Sequence, residues 1–166
     1  GMLDAGQALL DDVSVIRDPD NAKQELIQNG DFESGGSHWR FLGNHNESQV
    51  IVDPDNPSNH VLKVAASGPN RMSHNHIESS FVGNTKLVDG QTYQVSFRAR
   101  WVAGAPLLNT TAYFQRLART TVLNMPQRHG TPGAVNSRFN TNAGPTFSEL
   151  RHTPITPKTK IGRAHV

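Results

Sequence analysis

The sequence predicts an all-β chain, an antiparallel β-sandwich of the jelly-roll type, and three observations predict it. Short runs rich in Val, Ile, Tyr and Phe recur between clusters of Gly, Pro, Asn and Asp. Residues 90–102, GQTYQVSFRARWV, alternate apolar and polar positions with the period of a strand. No stretch places a capping residue ahead of a helical apolar stripe. With 14 Gly and 10 Pro in 166 residues, and only 35% hydrophobic residues, the composition favours a loop-rich β protein.

The elements follow in order. Residues 8–16, ALLDDVSVI, form a strand with β-branched residues and a central acid pair. RDPDNAKQ (17–24) carries Asp-Pro and Asp-Asn turn chemistry and is a connection. ELIQNGDFE (25–33) is a second strand. Its Asn29-Gly30 tolerates positive φ, and with no partner strand directly behind it the pair predicts a bulge or kink. SQVIVD (48–53) and HVLKVAAS (60–67) flank PDNPSN as a hairpin, and NHIESSFV (75–82) follows. In the clearest strand, Tyr93, Val95, Phe97, Ala99 and Trp101 share one face, with Gln94, Ser96, Arg98 and Arg100 on the other. NTTAYFQRLARTTVL (109–123) adds one or two further strands.

Beyond that point the character changes. Residues 127–145 are rich in Gly, Asn, Ser and Thr and predict a linker. Residues 146–160 have too little apolar content to bury themselves and predict the truncated start of a following domain. The last six residues, IGRAHV (161–166), are similar to one translated frame of a common sequencing-library adapter, so they are set aside as an expected artefact. The opening Gly1-Met2, close to a strand, looks like a cut rather than a natural start.

Several function classes fall away on composition. Sixteen basic against fourteen acidic residues give a net charge of +2, with no basic block to attract nucleic acid. There is no cysteine for a disulfide framework, a thiolate metal site or a nucleophile. No run approaches a membrane helix. Neither a nucleophile elbow, a His-Glu-x-x-His pair nor a phosphate loop is present, so no enzyme is expected.

ELIQNGDFESGGSHWRF (25–41), HVLKVAASG (60–68) and VDGQTYQVSFRARW (88–101) stand in the order of a known motif set. Together they resemble a jelly-roll carbohydrate-binding module of families four and nine, within the galactose-binding-like superfamily. The resemblance covers roughly residues 8–125 and implies a non-catalytic module that docks to glycan or polysaccharide. LLDDVSVI (9–16) resembles the closing strand of that group, yet it precedes the opening motif. Residues 1–20 therefore either end a preceding module or supply the last strand of the module at 21–126 as a circular permutation. No second LDDV follows Leu123, which favours permutation. GTPGAVNS (130–137) and SHNHIES (73–79) also resemble stretches of very large surface proteins of environmental bacteria, which implies an extracellular, multidomain setting.

Four groups of residues are candidates for a site. The resemblance implies a structural Ca²⁺ held by Asp12 and Glu33, with Asp11 or Asp31 as a substitute. His74, His76 and Glu78, alternating on a strand, fall on one face about 6.5–7 Å apart. They would suit a transition metal or, with Asn75, a polar sugar-contacting face. Arg98 and Arg100 look away from the core and could grip an acidic sugar's carboxylate. Among the aromatics, Trp39 and Trp101 are expected in the core, leaving Tyr113, on a polar face, as a sugar platform. The rival readings are a structural spacer without glycan and a metal-binding domain.

Overall fold

The computed structural model describes residues 1–69, 74–88, 91–110, 121–125 and 148–155. Apart from two 3-10 turns, every regular element among them is a strand. In chain order these are β1 (Gly6–Arg17), β2 (Gln24–Glu25), β3 (Trp39–Phe41), β4 (Gln49–Asp53), β5 (Asn56–Ala66), β6 (Ile77–Ser79), β7 (Tyr93–Gly104), β8 (Leu107–Thr110), β9 (Thr121–Asn124) and β10 (Ser148–Ile155). All paired strands are antiparallel. The main sheet runs β10-β7-β1-β5-β4, with β2 beside the far end of β1. Two small ladders, β3-β6 and β8-β9, supply the second layer. None of the helical turns is long and apolar enough to cross a membrane.

The core lies between these layers. Ala8, Leu62, Val64, Phe97 and Ala99 from the main sheet meet Phe32, Leu108 and Met125, all buried, with Trp39, Phe41, Ile77, Trp101 and Leu123 packed around them. Each large apolar side chain buried there contributes roughly 1.5–3 kcal/mol. A satellite cluster of Val15, Leu26 and Tyr93 extends the interior under β2. The predicted core face of β7 is observed, and so are the expected positions of Trp39 and Trp101 against the core.

β1 sits at the centre of the main sheet. It pairs with β7 from Gly6↔Gly104 to Arg17↔Tyr93, and with β5 from Gly6↔Ala66 to Leu10↔Leu62. The strand that resembles a closing strand therefore lies between β5 and β7 although it precedes both in the chain. Its ladder with β7 breaks between Asp11 and Ser14, where Asp12 takes φ +51°: a bulge. There the Val13 N–H turns to Gly30 O at 2.8 Å.

Three elements differ from the sequence reading. ELIQNGDFE does not continue as a strand: only Gln24 and Glu25 pair with β1, and positive φ at Asn29 and Phe32 rolls the chain through turns. Beyond Glu25 the Leu26 N–H still donates to Val15 O at 2.9 Å, and the Glu25 carboxylate adds bonds from the N–H groups of Val15, Leu26 and Ile27. The turn between β4 and β5 is only Pro54-Asp55, tighter than the six residues expected. Residues 148–155, expected to open a following domain, instead lie along β7 from Ser148↔Ala99 to Ile155↔Tyr93. A strand with few apolar residues suits such an outer position. The predicted linker at 127–145 and Tyr113 lie outside the described residues.

Candidate functional site

A concavity forms where β3 meets β6. Their register sets Arg40 opposite Glu78, between Trp39↔Ser79 and Phe41↔Ile77. Strand alternation turns Phe41 and Ile77 to the core and leaves Arg40 and Glu78 on the outer face. Arg40 forms an ion pair with Glu78 Oε1, and His76 Nε2 lies 2.8 Å from Glu78 Oε2. An open cleft of about 410 Å³ surrounds this pair, bordered by Gln28, His38, Ser80 and Asn84, with Trp39 and Phe81 as its aromatic edges. Its two charged side chains face each other, so the cleft is charge-balanced.

His38 and Trp39, which line the cleft, stand at the end of a loop over residues 29–39. Asn29, at φ +53°, donates through Nδ2 to Gly35 O (2.8 Å) and Ser37 O (2.9 Å), and accepts the Ser34 N–H at Oδ1. Its backbone oxygen receives the Trp39 indole N–H at 2.9 Å, and the indole ring tilts on Phe32 at 5.2 Å between centroids. One asparagine thus fixes the loop that delivers His38 and Trp39. From β6, Ser79 Oγ donates to His38 O.

The sequence-predicted ligand residues are divided between two sides of the sandwich. Arg98 and Arg100 project from the main-sheet face opposite the core, and both have acidic partners. Arg98 lies 3.1 Å from Asp12 Oδ2 and 3.6 Å from Asp11 Oδ2, and Arg100 pairs with Asp55. Asp11 is buried and also accepts from Asn59 Nδ2. Burial pushes its carboxyl above the usual range. A face whose cations are already matched by carboxylates is a poor clamp for an acidic sugar.

His74, Asn75 and His76 lie on the other side, ahead of β6. The strand begins only at Ile77, so His74 does not continue the expected alternation. The reason is local: Asn75 turns its side chain to accept the Asn44 N–H at 3.1 Å. Gly43, at φ +57°, admits this segment, since a Cβ there would stand 2.1 Å from Asn75 Oδ1. Only His76 and Glu78 of the proposed metal set touch. Nearby His45 is fully buried, and burial pulls its ring down to about 4.

The residues present do not fit the calcium site that the resemblance implies. Both oxygens of Glu33 face His60, one at 2.7 Å from its N–H and one at 2.8 Å from Nδ1, and these bonds hold the Glu33 carboxyl below its usual range. Asp12 faces Arg98. Ca²⁺ needs a joint shell of oxygens, and these two carboxylates are turned to separate basic groups. Among the described residues no group of three or more His, Asp or Glu could hold a metal ion.

A family model described as carbohydrate binding domain (CBM_4_9) matches residues 24–123, more than half of the chain. The chain belongs to the carbohydrate binding domain family. Membership agrees with the antiparallel sandwich, and modules of this family are normally non-catalytic. The matched segment begins at β2 and so leaves β1 outside it. No curated protein and no solved structure matches the chain.

Sequence reasoning missed Arg40, His38, Gln28 and Asn84. Arg40 had one legible signal: it stands between Trp39 and Phe41, so if both rings enter the core, alternation sends it outward.

Proposed function

We propose that this carbohydrate-binding module docks to glycan through the β3-β6 cleft. The observation that carries the reading is the cleft's make-up: a charge-balanced Arg40–Glu78 pair, with the amide side chains of Gln28 and Asn84 and the aromatic residues Trp39 and Phe81 as its lining. A sugar ring has flat apolar C–H faces and hydroxyls that both donate and accept. Trp39 and Phe81 suit the first, while Glu78 accepts, Arg40 donates, and Gln28 and Asn84 do both. Nothing in the cleft pairs an acid with a base across a bond to be broken, so docking is the role it suits. We place the module outside the cell, within a longer bacterial polypeptide, a reading supported by the likeness of residues 73–79 and 130–137 to bacterial surface proteins.

Binding to a panel of immobilised polysaccharides tests this. Arg40→Ala and Glu78→Ala should each weaken binding roughly ten-fold or more, the scale of one charge-assisted hydrogen bond. Arg100→Ala, on the other side of the sandwich, should leave it unchanged. A panel without a single binder would sink glycan docking. Binding lost in Arg100→Ala but kept in Arg40→Ala would move the site to the main sheet.

A further inference from the structure

Asn29-Gly30 is the only Asn-Gly pair in the chain, and the fold requires both residues. A Cβ on residue 30 would stand 1.9 Å from Val13 O, where the turn closes on the β1 bulge. Asn29 holds φ +53°, which asparagine tolerates better than most residues, and its side chain uses both ends in the bonds that shape residues 29–39. Asn-Gly is also the pair most open to backbone attack on the side-chain amide, because glycine has no side chain to hinder its own N–H.

We propose that Asn29 is a deamidation site that the native fold guards and that, once modified, unmakes the loop carrying His38 and Trp39. The Gly30 nitrogen attacks Asn29 Cγ and loses its proton, while the Asn29 Nδ2 leaves as ammonia. Water then opens the resulting cyclic imide at one of its two carbonyls, giving aspartate or iso-aspartate. No oxidant or reductant enters, and water is the only co-reactant. In the native loop the amide is pinned from both ends: Nδ2 by Gly35 O and Ser37 O, and Oδ1 by the Ser34 N–H. Rotation of the amide towards the Gly30 nitrogen must break those bonds, so the reaction proceeds from opened or unfolded molecules.

The damage is directional. A carboxylate at position 29 has no hydrogen to donate, and its negative charge faces the two carbonyl oxygens that the amide had served. Iso-aspartate also lengthens the backbone by one atom, beside the turn that admits no Cβ at Gly30. The Trp39 indole N–H is bonded to Asn29 O, so the indole registers the change directly.

The test incubates the whole chain in mildly alkaline buffer, native and in denaturant, and follows Asn29 by peptide mapping. Conversion should run roughly ten-fold or more slower in the native sample. After refolding, the converted fraction, and Asn29→Asp made directly, should show a lower thermal midpoint and an altered near-ultraviolet tryptophan signal. Equal conversion rates in the two samples would overturn the guarding. An Asn29→Asp protein with an unchanged midpoint and unchanged tryptophan signal would overturn the consequence. Neither readout depends on which glycan, if any, the cleft takes.

Discussion

The ring of His45 accepts the backbone N–H of Met2 at Nε2, 2.9 Å away, and both residues are fully buried. With Nε2 accepting, the ring proton sits on Nδ1 and donates to Asn44 Oδ1 at 2.6 Å. This neutral imidazole fastens the segment ahead of β1 to the 3-10 turn that follows β3. Met2 in turn bridges to Leu108 of β8.

Acid should therefore loosen the sandwich through His45. Its folded value is lowered to about 4 from an ordinary 6.5, so between those values the unfolded chain binds a proton that the native ring refuses. Stability falls as pH drops from about 6.5 to about 4 and levels off below, by up to roughly 3 kcal/mol from this group. Denaturant titrations across that window check it. His45→Ala should flatten the slope while costing about 1–3 kcal/mol at neutral pH.

Asp11 works in the opposite sense. Burial raises its carboxyl, so the stability that its neutral form contributes is present at low pH and lost as pH climbs above its ordinary value near 3.8. Asp11→Asn, which keeps the neutral shape, should gain on the wild type as pH rises above 3.8. A constant difference across that range would show the carboxylate to be fully compensated by Asn59 and Arg98.

Removal of residues 1–17 should abolish cooperative folding, because it opens a gap between β5 and β7 and uncovers both edges. Circular dichroism on heating would show a broad slope in place of a transition. A truncated chain that melts cooperatively would mean that β5 and β7 close on one another and that β1 is an accessory strand.

Calcium and chelator should leave the thermal midpoint unchanged, since Glu33 and Asp12 are turned to His60 and Arg98. A calcium-dependent rise would show those carboxylates leaving their partners for the ion. His60→Ala should lower stability most above Glu33's ordinary range, where the acid is ionised, and the deficit should shrink as Glu33 protonates.

Much of the sandwich was legible in the residues. Alternation in β7 is long enough to assign faces, and Tyr93, Phe97 and Ala99 are buried where it put them. Trp39 and Trp101, expected in the core, pack against it. The cleft was not legible. β3 and β6 have three residues each, too few for a period to show, and Arg40 and Glu78 meet only because two distant segments pair. Arg98 and Arg100 were expected to look away from the core, and the acidic partners that they meet there were not legible, since a strand's pattern tells which way a side chain points and not what waits there.

The sequence by itself determined the all-β class, the two faces of β7, and the tendency of the chain to kink at Asn29-Gly30. These depend on spacing along the chain and on backbone freedom, which are local quantities. The contact with Val13 O that demands glycine at position 30 is a tertiary one. Only the tertiary structure decided that β1 fills the centre of a sheet whose other strands follow it, and that Arg98 meets Asp12 across 86 residues. It also decided that β3 and β6 border a polar cleft. Strand order and charge pairing are set by which distant segments bury one another's apolar faces, and that burial is a property of the assembled sandwich.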